Sequence, residues 1–137
     1  ANLVDASVAW HTDRWQVEAE YMYEHYAYSA HKPAHSYVAF ADYRFPIKAW
    51  KFNRLSFQAR FDGITAHSSA IPDDNGHLIT NNPACNRVTL GSTISYIHTK
   101  SIWLDIRANY EKYFHHSSTS VTSALGDKAV LELVFRF

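Results

Sequence analysis

The feature that most constrains this chain is a strict alternation of apolar and polar residues over long segments. It is clearest from Trp15 to Tyr28, where one set of alternate positions is apolar and the other contains three glutamates. A β-strand places alternate residues on opposite faces, whereas a helix, at about 100° per residue, would scatter both sets around its axis. The apolar set of this segment is Trp15, Val17, Ala19, Tyr21 and Tyr23.

The same period of two predicts seven strands in an all-β chain. They run from Leu3 to His11, Trp15 to Tyr28, Ser36 to Phe45, Leu55 to Asp62, Arg87 to Tyr96, Ile102 to Tyr113 and Lys128 to Phe137. The apolar sets of the seven strands contain no charged residue, while the opposite faces carry six basic and nine acidic residues. Shifting a strand by one residue would exchange its two faces, so this contrast fixes which residues share a face. The basic residues are Arg44, Arg60, Arg87, Arg107, Lys128 and Arg136, and the acidic ones are Asp5, Glu18, Glu20, Glu24, Asp42, Asp62, Asp105, Glu111 and Glu132.

The connections between the predicted strands alternate in length. Short ones at 12–14, Pro46 to Asn53 and Ile97 to Ser101 interleave with longer ones at Ser29 to His35, Gly63 to Asn86 and Phe114 to Asp127. Short periplasmic turns and long extracellular loops are typical of bacterial outer-membrane β-barrels. Aromatic residues make up 15% of the chain and concentrate near both ends of the strands, as expected for two interfacial girdles.

A soluble β-sandwich is the main structural alternative, and strand length argues against it. Several predicted strands have ten to fourteen residues, whereas strands of globular proteins commonly have about five or six, and tilted membrane strands about nine to eleven. Seven is an odd number, so the prediction is a transmembrane antiparallel β-barrel of which some strands are missing. Residues 1–137 begin without an initiator Met or a signal peptide, and we interpret them as the C-terminal part of one barrel domain.

Other kinds of site have weak sequence support. The net charge is zero, which does not favour nucleic acid. His31 with His35, and His115 with His116, have no structural-zinc spacing, so we expect solvated loop histidines and neither a metal nor a cofactor. Cys85 is interpreted as an incidental loop cysteine. No nucleophile motif or phosphate-binding loop is present, so no enzyme activity is predicted.

Three segments resemble the C-terminal strands of the phosphate-selective porin O and P family, and in particular those of its members in Bacteroidota. They are NRVTLG at 86–91, LDIRANYEKY at 104–113 and DKAVLELVFRF at 127–137. The resemblance implies a roughly sixteen-stranded, trimeric outer-membrane porin. The end of the chain also resembles the signal that the outer-membrane assembly machinery recognises, with Leu133, Phe135 and Phe137 as its apolar residues, although Glu132 stands where a small residue is common.

These patterns lead to a functional expectation, which is passive diffusion of small hydrophilic or anionic solutes through a porin in the bacterial outer membrane. The family name suggests phosphate, but the excess of acidic residues on the polar positions does not itself predict phosphate selectivity. Expected partners are outer-membrane lipid, lipopolysaccharide, the assembly machinery and further copies or other outer-membrane subunits. A structural or assembly subunit of an outer-membrane complex is the alternative, and an acyl-transfer or lipase-type enzyme is less favoured. The residues expected to line the lumen are Arg44, Arg60, Asp62, Arg87, Asp105, Arg107 and Glu111.

Overall fold

In a computed structural model the chain is all-β, and its main element is a seven-stranded antiparallel sheet. The structure describes residues 2–25, 33–49, 51–65, 71–72, 74–76, 78–79, 84–97, 102–115 and 126–137. No helix among these residues is long and apolar enough to cross a membrane. The strands are β1 (Asn2–His11), β2 (Trp15–His25), β3 (Ala34–Ala49), β4 (Phe52–Ile64), β5 (Ile71–Pro72), β6 (Leu78–Ile79), β7 (Cys85–Ile97), β8 (Trp103–His115) and β9 (Lys128–Arg136).

The main sheet is a simple meander in which each strand pairs with the next long strand of the chain. The order is β1-β2-β3-β4-β7-β8-β9, and β5 and β6 form a separate two-stranded hairpin within the connection between β4 and β7. Within the described residues β1 and β9 are the two edges, and the sheet does not close on itself. The seven predicted strands and their antiparallel arrangement are therefore confirmed.

The register brings all the apolar sets onto one side of the sheet. One row of directly paired residues crosses six strands and is apolar apart from a serine, and the row beside it is polar apart from a glycine and a valine. We call the first side the apolar face and the second the polar face. The apolar row is Trp15, Tyr43, Phe57, Ser92, Ala108 and Leu131, and the polar row is Gln16, Asp42, Gln58, Gly91, Asn109 and Val130.

The strand ends differ from the sequence prediction where the alternation is interrupted. Pro46 to Asn53 was expected to be a connection, but β3 continues to Ala49 and β4 begins at Phe52. The pairing shifts register between Pro46 and Ala49 and again between Phe52 and Arg54. A bulge adds an unpaired residue and breaks the period of two, so the pattern there is not recognisable as strand.

Three residues singled out as loop residues are in strands. His35 is the second residue of β3, Cys85 is the first residue of β7, and His115 is the last residue of β8. The β5–β6 hairpin was not expected, because strands of two residues have no detectable period. In its turn Gly76 has a φ of 79°, a left-handed conformation that glycine adopts without strain. The predicted strand residues Tyr26 to Tyr28, and His31 and His116, lie outside the described residues.

Candidate functional site

The polar face is the more buried side of the sheet, whereas in a soluble protein the apolar side of a sheet is the buried one. Of the few described residues that are buried, five are polar or charged, with exposures of 6 to 8%, and all five lie on this face. Side chains of a single-layer sheet are buried only by neighbours on the same face, so longer side chains of the polar face cover these five short ones. The five are Asp42, Ser56, Thr93, Ser95 and Asp105.

The apolar face has exposed large side chains on strands across the whole width of the sheet. Leu131 is 73% exposed, Val8 67% and Leu90 55%, and these residues lie on three different strands. Covering such a surface would remove a large unfavourable contact with water, about 25 cal/mol for each Å². The arrangement therefore needs an apolar medium or a partner on one side and water on the other.

The polar face carries three ion pairs of one kind, each between two residues of a single strand with one apolar residue between them. Alternate residues of a strand share a face, so an acid and a base two positions apart lie side by side. The pairs join β3 Asp42 to Arg44 at 3.2 Å, β4 Arg60 to Asp62 at 2.8 Å, and β8 Asp105 to Arg107 at 3.6 Å.

The Asp62 cluster lies on the polar face near the end of the sheet where the long connections are. Arg87 on β7 donates two hydrogen bonds to the Asp62 carboxylate, from Nε at 2.8 Å and from Nη2 at 2.5 Å, which is the bidentate geometry that favours arginine. The Nη1 atom of Arg87 lies 3.6 Å from Glu111, whose carboxylate also accepts a hydrogen bond of 2.8 Å from the Tyr113 hydroxyl. Arg60 completes the cluster through its Nε bond to Asp62.

The Asp105 cluster lies near the opposite end of the same face. Asp105 accepts a hydrogen bond of 2.7 Å from the Ser95 hydroxyl, and Arg136 approaches its carboxylate to 3.9 Å. Arg107 lies between Asp105 and Glu132, at 3.6 Å from each carboxylate. Each arginine of these two clusters thus has an acidic neighbour.

Between the two clusters, side chains from β4 and β8 meet across β7. Gln58 donates a hydrogen bond of 2.7 Å to the side-chain oxygen of Asn109, and both side chains pass over Gly91. A Cβ at Gly91 would lie 2.6 Å from Nε2 of Gln58, so glycine is required for this contact. Side chains of the polar face are therefore joined across strands at its middle as well as near both ends.

All seven residues predicted to line a lumen lie on the polar face, and six of them belong to the Asp62 cluster or the Asp105 cluster. Arg60, Asp62, Arg87 and Glu111 are together, while Asp105 and Arg107 are together on β8. Arg44 stands apart and donates to Asp42 and to the side-chain oxygen of Gln16 at 2.9 Å.

Sequence reasoning missed Arg54, whose Nε atom is buried without a hydrogen-bond partner among the described residues. Arg54 lines a hollow of about 330 Å³ together with Arg44 and Arg107 on the polar face. The strand predicted from the sequence started at Leu55, one residue after Arg54. Because alternate residues share a face, extending that strand back from Gln58 and Ser56 would have placed Arg54 on the polar face.

Aromatic side chains cluster toward the two ends of the apolar face. At the short-turn end, Trp15 contacts Tyr43 with ring centroids 4.6 Å apart, and Tyr43 contacts Phe45 at 4.4 Å. At the other end Tyr37 stacks on Phe61 at 5.7 Å. Leu133 and Phe135 of the expected assembly signal also belong to this side, and both are exposed, as is Phe137 directly after β9.

Asp127, the residue directly before β9, is held by contacts with β8. Asp127 accepts a hydrogen bond of 2.8 Å from the Tyr110 hydroxyl and one of 3.4 Å from the backbone N–H of Tyr113. The Tyr110 hydrogen bond holds the pKa of the Asp127 carboxyl below its usual value of 3.8. Lys112 lies 3.8 Å from the same carboxylate.

No group of three or more potential metal ligands occurs among the residues that the structure describes. No family model, curated protein or solved structure matches the chain.

Proposed function

We propose that this sheet is part of an outer-membrane β-barrel whose polar face lines a water-filled pore for passive diffusion of small hydrophilic solutes, anions among them. The observation that carries the proposal is the opposite polarity of the two faces. Large apolar side chains are exposed on one face, while the residues buried on the other are almost all polar. Lipid outside and water inside would satisfy both faces, as in porins.

Strand length and pairing support the same proposal. Six of the seven long strands have 10 to 16 residues, and β9 has 9, which suits a tilted crossing of a bilayer. Unpaired backbone groups are very costly in hydrocarbon, so β1 and β9 need further strands beside them. An odd number of further strands would complete an even, fully antiparallel barrel, and the resemblance to the phosphate-selective porins suggests roughly sixteen strands in all.

The proposed partners follow from the apolar face. Outer-membrane lipid and lipopolysaccharide would cover it, and the assembly machinery would recognise Leu133, Phe135 and Phe137 at its edge. A trimer, as in the porins that the chain resembles, would cover part of it with neighbouring copies.

The pore is tested with the full-length protein in planar bilayers. We expect open, ohmic channels, and we expect the double variant Arg60→Glu and Arg107→Glu to move the reversal potential in a salt gradient toward cation selectivity, because both side chains lie on the polar face. The matched control is Arg14→Glu with Lys51→Glu, which makes the same change in net charge at two exposed turn residues outside the strands. Folded protein without any channel would overturn the pore and support the structural-subunit alternative.

A further inference from the structure

Phe40 breaks the pattern by which phenylalanines are distributed over the sheet. Seven phenylalanines lie in strands, and Phe40 is the one that stands on the polar face. Its direct cross-strand neighbours are both charged, with Glu18 on β2 and Arg60 on β4. The six on the apolar face are Phe45, Phe52, Phe57, Phe61, Phe114 and Phe135.

An open hollow of about 600 Å³ lies over Phe40 on this part of the polar face. Glu18, Glu20, Val38 and Arg60 line it with Phe40. Val38 is the residue two positions before Phe40 on the same face, so the two form an apolar patch in a polar wall. This apolar patch is not part of a hydrophobic core, because the sheet has only one layer.

The charges on the two sides of the patch have opposite sign and a suitable spacing. Glu18 on β2 and Arg60 on β4 lie on either side of β3. Two strand spacings separate them, so their Cα atoms are roughly 10 Å apart. On one side, Glu20 has no ion-pair partner among the described residues. On the other, Asp62 is held by two hydrogen bonds from Arg87, and Arg60 reaches it through Nε.

We propose that this hollow is a binding site for zwitterionic solutes of the amino-acid and short-peptide class. The ammonium group binds at Glu18 and Glu20, the carboxylate binds at the guanidinium of Arg60, and an apolar side chain lies against Phe40 and Val38. Opposite charges on either side of an apolar surface select for a solute that has both charges and an apolar group between or beside them. The proposal rests on the proposed function, because the polar face must be in water for such a solute to reach it.

The test uses full-length protein in detergent micelles with the dipeptide leucylglycine as the probe and calorimetric titration as the readout. We expect binding, and we expect N-acetylation or C-terminal amidation of the probe to weaken it by about fivefold each, as loss of one partly exposed ion pair implies. These comparisons use the unaltered protein, so they do not depend on whether a variant folds. Equal binding of the three probes would overturn the proposal.

Variants then assign each end of the probe to its side chain. Arg60→Gln should remove the effect of amidation and keep that of acetylation, and Glu18→Gln with Glu20→Gln should do the reverse. Phe40→Ser should weaken all three probes by about five- to tenfold. The control is Val134→Ser, an apolar residue of the polar face on distant β9, which should bind like the unaltered protein.

Binding in micelles and conduction in bilayers are separate measurements. Conduction without binding of leucylglycine overturns this site and leaves the pore, whereas selective binding without conduction overturns the pore and supports the site.

Discussion

The two faces of the sheet are stabilised in different ways. On the polar face the contacts are specific pairs, such as the bidentate contact of Arg87 with Asp62 and the bond between Gln58 and Asn109. On the apolar face most specific contacts among the described residues involve aromatic side chains, as between Trp15 and Tyr43 or Tyr37 and Phe61, and mid-strand residues such as Leu90 are exposed. The surrounding medium therefore decides the stability of the apolar face, while neighbouring side chains decide that of the polar face.

One local arrangement nevertheless occurs on both faces, so the two faces can be compared at equivalent positions. On the polar face Gln58 and Asn109 meet over Gly91. On the apolar face the Tyr37 hydroxyl donates to the side-chain oxygen of Asn86, and the Tyr37 ring lies over Gly63. In each case a glycine on the middle strand lets side chains from the two flanking strands reach each other. The difference lies in the stiffness of the side chain that crosses.

The largest expected effect comes from placing a charge on the apolar face. Leu90→Arg at the middle of β7 should lower the free energy of unfolding in lipid by about 2 to 4 kcal/mol, because a charged side chain would enter the centre of the hydrocarbon. Thr89→Arg is the matched control on the adjacent residue, which faces Arg60 and Glu111 across the polar face. Urea titration of protein refolded into lipid vesicles measures both, and equal losses would contradict the assignment of the faces.

The two glycines provide the next comparison. A Cβ at Gly63 would lie 2.6 Å from Cε2 of Tyr37, and a rigid ring can only move away as a whole, so Gly63→Ala should cost about 1 to 3 kcal/mol. A Cβ at Gly91 meets the flexible ends of Gln58 and Asn109, so Gly91→Ala should cost about one hydrogen bond, roughly 0.5 to 1.5 kcal/mol. Unfolding free energies of the two variants check the order. A larger loss for Gly91→Ala would mean that the polar bridge is the stiffer one.

A smaller effect is expected within the polar face. Asp62 is nearly buried and accepts three hydrogen bonds from two arginines, so Asp62→Asn should cost about 1 to 2 kcal/mol. Glu132 has a side chain 53% exposed and a single long contact to Arg107, so Glu132→Gln should change stability by less than about 0.5 kcal/mol. Equal effects would show that water screens both carboxylates alike.

Much of this fold follows from the sequence because a period of two has only two possible frames. The alternation from Trp15 onward placed each strand's apolar set on the correct face, and the same reasoning placed Arg60, Asp62 and Arg87 on one side. Closure of a barrel is not visible in the described sheet, since β1 and β9 remain its edges. The bulges near Pro46 and Arg54 were missed because a bulge is an interruption of the very period that identifies a strand.

The grouping of the site residues could be predicted only in part. Asp42 with Arg44, and Asp105 with Arg107, are two residues apart in one strand, so their contact follows from strand geometry alone. The meeting of Arg87 with Asp62 depends on the register between β4 and β7, and 20 residues from Thr65 to Ala84 separate those paired segments. Register across such a connection is set by the packing of whole strands, which local patterns do not specify.

The smallest expected effect concerns acid and the anchor at Asp127, the carboxylate that Tyr110 holds from the apolar side of β8. Because the folded protein holds the pKa of Asp127 below 3.8, the ionised form contributes stability at higher pH, and this contribution is lost as the pH falls through the lowered pKa. Tyr110→Phe removes the largest cause of the shift and should flatten the pH dependence of unfolding between roughly pH 5 and 2, with little change at neutral pH. Tyr43→Phe is the matched control, since Tyr43 lies on the same face and does not contact Asp127. Unfolding midpoints measured over this range should therefore separate the Tyr110 variant from both the control and the unaltered protein. Parallel profiles for all three would mean that the start of β9 is held by its pairing with β8 alone, and that the apolar face contributes no titrating contact.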